Sequence, residues 1–305
     1  MKAWNRFKKS YLLYSFKRDP IAIFSFIVLS ILIIISLLAP VIAPYNTYDT
    51  ASFDIMDAEA PPSWMEAGNR NFILGTDIQG RCLLSTMIYG LRVSLIIGVG
   101  AVLVQAFIGI LIGLFSGYFG GKIDSFLMRI TDIQFAFPYL IVAIFTSAIF
   151  KLAFGVGRYA ELAEPLLIII IGLSHWPIYA RTVRAAVLGE KNKEYVEAAR
   201  VVGLSHWPIM SRHILPNTMT SVLVLSTIQV AEAIMSEAAL SFLGLGMPIT
   251  KPSLGSLIRA GFEYIFSGSW WITFFPGVLL IVIILVILLL GDWLRDVLNP
   301  KLYKG

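Results

Sequence analysis

Polar residues set inside apolar sequence are the first places to look for chemistry. Ser226, Gln229, Glu232 and Ser236 recur at helical spacing on one side of such a stretch, and Glu237 lies beside them on the helical wheel. An acid in hydrocarbon costs about 2.5–3.5 kcal/mol on insertion scales. These groups are therefore expected to face a polar lumen, where they suit a polar or positively charged cargo, or a partner helix that bonds them. A second set is Glu197, Ala198, Ala199, Gly203 and Pro216. It joins one acid to small residues, a pattern that lets another protein come close. A third is Asp77 and Arg81, in the glycine-bearing string LGTDIQGR at 74–81. Enzyme chemistry is not indicated. The single cysteine, Cys82, and the three histidines, His175, His206 and His213, suggest neither a disulfide nor a metal cluster. No His-Glu-x-x-His and no Gly-x-x-x-x-Gly-Lys-Ser/Thr phosphate loop occurs, since Gly121-Lys122 is followed by Ile123.

The elements that carry these residues are dictated by composition. Of 305 residues, 57% are apolar and 14% charged, against about 45–50% and 25% in soluble domains. That excess cannot be hidden in one soluble core. Six uncharged runs approach or pass the roughly 18 residues that span a bilayer as a helix. They are Pro20–Tyr48, Val93–Gly121, Ile133–Phe150, Pro165–Ala180, Ile214–Ala231 and Tyr264–Gly291. An all-α polytopic membrane protein with six transmembrane helices is the expected fold class. The first run has a basic start but is longer than a signal-peptide core, with Pro40 and Pro44 at its end, and reads as an uncleaved anchor. Lys and Arg set the orientation: 17 of the 24 lie in the N-terminal tail, the loops at 119–132 and 181–213, and the tail after Gly291. Both termini are accordingly expected in the cytoplasm. The net charge of +5 tracks topology, which removes the case for a nucleic-acid partner and points to membrane lipid.

Two segments stand outside the spans. The outer loop, Asn46 to Arg92, is long and proline-bearing (Pro61, Pro62). Beside a plain connector, it reads as a gate or docking element at the outer mouth, with Asp77 and Arg81 its candidate residues. In the inner loop, Arg181 to His213, Asn192 can cap a helix over about Lys193–Val202, with Glu194 in its first turn. Tyr195, Ala199 and Val202 would share one face, Gly203 would end the helix in a left-handed conformation, and Ser205 would cap a second short helix leading to Pro216. Gly109, Gly113 and Gly117, four apart in the second span, predict close helix packing. Trp270 and Trp271 read as interfacial anchors. The heptapeptide GLSHWPI occurs at 172–178 and again at 203–209, in surroundings different enough to be coincidence.

Glu197-Ala198-Ala199, Gly203 and Leu215-Pro216 have the spacing of the "EAA" loop of bacterial ABC importer permeases, and the string EYVEAARVVG…RHILPN resembles the dipeptide, oligopeptide and nickel permease family. Arg18-Asp19-Pro20, LGTDIQGR, LSFLGLG at 240–246, and the ending Gly291–Asp296 with Asn299-Pro300-Lys301 are similar to the second, C-type permease of those systems, in order along nearly the whole chain. Cys82 departs from it, standing where the family usually has Asp.

The resemblance implies a type I ABC importer permease fold in the bacterial inner membrane. It implies a homologous permease as heterodimer partner, two ATPase subunits that hold ATP and Mg, and a periplasmic substrate-binding protein. The chain itself would bind no cofactor and no metal and catalyse no reaction. Residues 1–90 would form the tail, first helix and long outer loop. Residues 91–305 would form a five-helix core with a coupling loop at about 190–217. That loop would fit a groove on an ATPase and act as a rigid lever. Gln229, Glu232, Ser236 and Glu237 would be the translocation-path candidates. Dipeptides or oligopeptides are the expected cargo, with nickel chelates, glutathione, opines or haem as alternatives. An ion-coupled secondary transporter using Glu232 is the rival of another class.

Overall fold

The computed structural model describes residues 11–49 and 53–298. The basic residues at 2, 6, 8 and 9 and the Asn299-Pro300-Lys301 ending lie outside the described residues. The helices in chain order are α1 (Tyr11–Arg18), α2 (Pro20–Leu37), α3 (Leu83–Phe119), α4 (Gly121–Ala136), α5 (Tyr139–Glu161), α6 (Ala163–Glu190), α7 (Glu194–Val201), α8 (Leu215–Phe242), α9 (Leu254–Phe262) and α10 (Trp271–Leu298). Shorter turns cover Ala39–Ile42, Ile55–Asp57 and His206–Pro208, and a π-helical stretch runs over Ile209–Ile214. Asp19 explains its own place in the sequence. Its carboxylate accepts from the N–H groups of Ile21 (3.0 Å) and Ala22 (3.1 Å), capping α2 while Pro20 occupies a first-turn position that needs no donor.

Among the described residues five helices are long and apolar enough to cross a membrane, and α4 with α5 forms a bent apolar pair that makes six if it counts as one span. The six apolar runs thus correspond to these five helices and the bent pair, with two corrections. The run Ile133–Phe150 is not one straight helix: α4 and α5 meet at 86°. Pro138 disfavours helical geometry at the preceding residue, and Phe137 is extended (φ −98°, ψ 131°). The helices also outrun the uncharged windows. α3 begins at Leu83, so Arg92 lies within it, and α6 continues ten residues past Ala180. A charge marks where hydrocarbon ends, not where hydrogen bonding along the backbone ends.

The two ends of the bundle differ. One, here the basic end, carries the close of α3, the start of α4, the close of α6 and α7; Lys191 there donates to the Gly117 carbonyl at 2.9 Å. The other, the opposite end, carries residues 43–49 and 53–82 as a strap against the α8–α9 loop and the start of α10. Thr76 ties the strap together, exchanging bonds with Ala60, and its carbonyl accepts from the Trp271 indole at 3.2 Å. Trp271 is 4% exposed, so it anchors the strap instead of a lipid interface, in contrast to the sequence expectation.

At the centre, α3 lies directly on α6. A Cβ on Gly109 would come within 2.2 Å of Tyr179 Cβ and 2.8 Å of the Trp176 carbonyl oxygen; one on Gly113 would meet the Ala180 carbonyl oxygen at 2.5 Å; one on Gly117 would meet Val187 Cβ at 2.8 Å. The three glycines are a backbone-to-backbone seam, as their spacing suggested. Replacing Gly109 by Ala is expected to destabilise the fold by about 1–3 kcal/mol through overpacking. Gly277→Ala, where a Cβ meets nothing within 4 Å, should be neutral or slightly stabilising. Thermal unfolding of the two variants in the same detergent checks this; equal melting temperatures would contradict the seam.

Candidate functional site

The loop between α6 and α8 folds as a braced unit at the basic end. Two buried residues of α7, Val196 (0% exposed) and Ala199, turn inward onto Ile209, Met210 and Ile214 of the π-helical stretch and Val187 of α6. Burial of this set, not helix propensity, holds an eight-residue helix in place. The face therefore differs from the one expected. Tyr195 is displaced to the edge, where its hydroxyl donates to Glu190 and accepts from the Asn217 amide (3.2 Å), while Val202 is 79% exposed. Desolvation first, and the bond to Glu190 second, push the Tyr195 phenol up to about 12, so it stays a donor at physiological pH. Lys193, not Asn192, occupies the cap position of α7, and no side chain bonds its first N–H groups. Ser205 does stand at the cap of the next turn, also without a side-chain bond.

Gly203 ends α7 as the sequence predicts. Its φ is +85°, its N–H donates to Arg200 (2.9 Å), and the Leu204 N–H reaches back to the Ala199 carbonyl (3.1 Å). No heavy atom of its own subunit lies within 4 Å of a Cβ placed there. The requirement for glycine is thus conformational within this chain, and the space beside it is open.

Further contacts fix the unit to the ends of α3 and α4. Tyr118 hydrogen-bonds to Nδ1 of His206 (3.0 Å), the Arg200 guanidinium sits over the Tyr118 ring, and Arg184 forks onto Asp124 with two bonds of 2.6 Å. The Ser116 hydroxyl also donates to Asp124. These partners came from three separate segments and had no local signal in the sequence. What remains outward is Glu197, Ala198, Val201 (88% exposed), Val202, Gly203 and, further on, Trp207 and Pro216. Apolar side chains gathered on a rigid surface are the mark of a docking face. Val201, Val202 and Trp207 were missed by a reading centred on the small residues.

The polar series of α8 divides in the structure. Ser226 accepts from the Tyr179 hydroxyl (3.0 Å). Glu237, 0% exposed, accepts from Ser94 of α3 (2.9 Å) and Ser241 (2.6 Å). Of the two readings open for Glu237, its surroundings are those of an interhelical contact. Ser94 also accepts from the N–H of Leu254 (3.3 Å), which ties the start of α9 to the same group. Gln229 and Ser236 are buried with Oε1 and Oγ respectively lacking a partner in the subunit, and Glu232 is half-buried.

Asp77 and Arg81 do not lie on a surface. They are 1% and 4% exposed, joined at 2.7 Å, and Arg81 Nη1 donates to the Ile249 carbonyl at 2.9 Å in the α8–α9 loop. The carboxylate further accepts from the N–H groups of Gln79 (2.9 Å) and Arg81 (3.0 Å). Docking through these side chains is corrected by their burial: they lock the strap to the bundle.

Residues 109–304 match the model of the binding-protein-dependent transport system inner membrane component, and residues 10–62 that of the N-terminal TM domain of oligopeptide transport permease C. The chain belongs to this family of transport permeases. It is 36% identical over 288 residues to a di/tripeptide transport system permease protein of Pseudomonas aeruginosa, covering 94% of this chain and 90% of that one. It is 37% identical to the dipeptide permease of Escherichia coli K12 (94% and 91%) and 34% identical to the oligopeptide permease of Bacillus subtilis 168 (95% and 88%). The solved MetNI methionine ABC transporter in an inward-facing conformation shares the fold, with TM-score 0.56 and 21% identity over 70% of this chain and 97% of that one. The permease is accordingly a multi-span membrane component of an ABC importer.

Two outcomes are expected from these contacts. Gly203→Val should cost about 1–2 kcal/mol in left-handed strain and lower import, while Gly203→Asn, which tolerates that conformation, should retain it. Loss in both would assign the effect to crowding of the open space instead. Arg81→Met should lower stability by about 3–5 kcal/mol by stranding the buried Asp77 carboxylate, and adding Asp77→Leu should recover much of that loss; denaturant or thermal melts of the single and double variants measure the coupling.

Proposed function

We propose that this permease is the membrane subunit of an ATP-driven importer that carries dipeptides or oligopeptides across the bacterial inner membrane. In this reading both termini and α7 face the cytoplasm, in line with the 17 of 24 basic residues assigned to that side. A homologous permease completes the path, two ATPase subunits holding ATP and Mg sit below, and a periplasmic binding protein delivers cargo at the strap end. The peptide cargo is supported by the relatives, whose names are those of peptide permeases at 34–37% identity.

The observation that carries the proposal is the outward apolar row Ala198, Val201 and Val202 on a helix whose other face is anchored in the core. A motor seated on that row would push a rigid body. The push would pass from α7 into α6 through the turn at Lys191, and into α3 and α4 through Tyr118–His206 and Asp124–Arg184. Rigid transfer turns a local displacement into rotation of whole spans. Glu232, half-buried and without a bonded partner among the described residues, then serves as a path contact, whereas Gln229 and Ser236 are buried within the subunit.

Val201→Asp is expected to cut co-purification of the ATPase subunits at least about tenfold, because a buried carboxylate would be left unpaired at the contact. Permease abundance in the membrane should be unchanged. Uptake of labelled dipeptide should fall in parallel and should require ATP, not an ion gradient. Normal recovery of ATPase with this variant, or uptake that follows an ion gradient, would overturn the proposal.

A further inference from the structure

The break between α4 and α5 lies beside residues 173–178 of α6, within the apolar run that ends at Arg181: the Gln134 amide donates to the Leu173 carbonyl, and the Tyr139 ring centroid is 4.4 Å from that of His175. Helix ends leave carbonyl and N–H groups without helical partners. At hydrocarbon depth such backbone is tolerated only inside protein or along a water-filled cavity. Yet Phe135 is 43% and Phe137 58% exposed in this chain. Irregular backbone at such a place calls for a protein or aqueous surrounding, not lipid.

Behind the break is a cavity of about 210 Å³. Its walls include Gln134, Phe137, Tyr139, Ser174, His175 and Pro177, and none of its lining residues carries a fixed charge. His175 is 6% exposed and its Nδ1 is 3.4 Å from the Ile171 carbonyl, which leaves Nε2 for the cavity. An ionisable ring at this depth marks a functional place, and discontinuous helices commonly build binding sites in transporters. The volume is below the ~300–1,000 Å³ of sites that enclose a whole small ligand, but holds one side chain.

We propose that the α4–α5 break and the His175 cavity form a side-chain pocket of the translocation path, taking an uncharged apolar or aromatic side chain of the passing peptide. Phe137, Tyr139 and Pro177 supply the apolar wall. His175 Nε2 and the Ser174 hydroxyl, whose own proton goes to the Ile170 carbonyl (2.8 Å), are left as acceptors for the N–H of the adjoining peptide amide. The proposal rests on the peptide-importer reading and assigns it a specificity-determining site. It also gives the first GLSHWPI copy a role the second lacks: His175 lines a cavity within a span, whereas His206 latches a loop to Tyr118.

Two measurements on the whole transport system test it. In a Cys82→Ser background, the Phe137→Cys variant should react with a membrane-impermeant maleimide, and saturating Ala-Phe should slow that reaction several-fold. This arm leaves His175 and Ser174 intact. In the second, His175→Phe fills the cavity and removes one bond to the peptide amide, so uptake of both peptides should fall, that of Ala-Phe roughly tenfold further than that of Ala-Ala, the scale of a lost pocket contact. Failure of the maleimide to reach the thiol, or disulfide formation between it and a cysteine placed in the partner permease without protection by cargo, would make the break a subunit seam and overturn the pocket. An unchanged uptake ratio would overturn it too. Should the unsubstituted system take up no peptide, the cargo reading itself fails, and the peptide side chain with it, whatever the labelling shows.

Discussion

Three glycines on one face of α3 let its backbone rest on that of α6, and the rest of the bundle is arranged around that contact. Side chains at those positions would hold the helices apart; without them, Tyr179, Val183 and Val187 fill the space against bare backbone. Two long helices packed this closely behave as one rod, because interiors at this density repack in steps and do not deform smoothly. The rod ends where α7 is braced, at Gly117, Tyr118 and Lys191. A displacement of α7 is therefore a displacement of the rod.

The two ends of the bundle are held by forces of different size. At the basic end, Arg181–Asp132 is about half exposed and Arg184–Asp124 partly so. Solvent-exposed pairs contribute roughly 0–1 kcal/mol each, so the fixed position of α7 comes mainly from burying Val196, Ala199, Ile209, Met210 and Ile214. The charged contacts there can change partners at low cost during a cycle. At the opposite end the Asp77–Arg81 pair is buried and also bonded to the Ile249 carbonyl, and breaking it strands a charge. The strap consequently moves with the α8–α9 loop as one body. Tyr159 of α5 donates to Leu245 of that same loop at 2.7 Å, which brings the strap, α5 and α8 to a single point.

Glu237 belongs to this arrangement. A lone acid among spans suggests ion coupling or cargo binding. Surrounded by Ser94, Ser241 and, through Ser94, the first N–H of α9, it acts as a polar fastener between α3, α8 and α9. A buried carboxyl group with each oxygen bonded by a hydroxyl specifies one packing of those helices, whereas apolar surfaces alone would permit several.

The amino-acid sequence determined the class of the molecule and the position of its glycine-ended inner helix. Long uncharged runs leave helices in a bilayer as the only stable outcome, and a glycine-ended helix between two spans is a local pattern, legible because Gly203 and the residues before it act over one turn. The small-residue spacing of the α3 seam was legible for the same reason. Only the tertiary structure decided which face of α7 turns inward, that Asp77 and Arg81 are an internal lock, that Trp271 anchors a strap, and that the third span breaks around the His175 cavity. Each of these depends on residues tens to hundreds of positions apart, such as Arg81 with Ile249 or Trp271 with Thr76. A span's hydrophobicity says that it is buried in something apolar; it does not distinguish lipid from protein, and that choice is made by the partners that folding brings alongside.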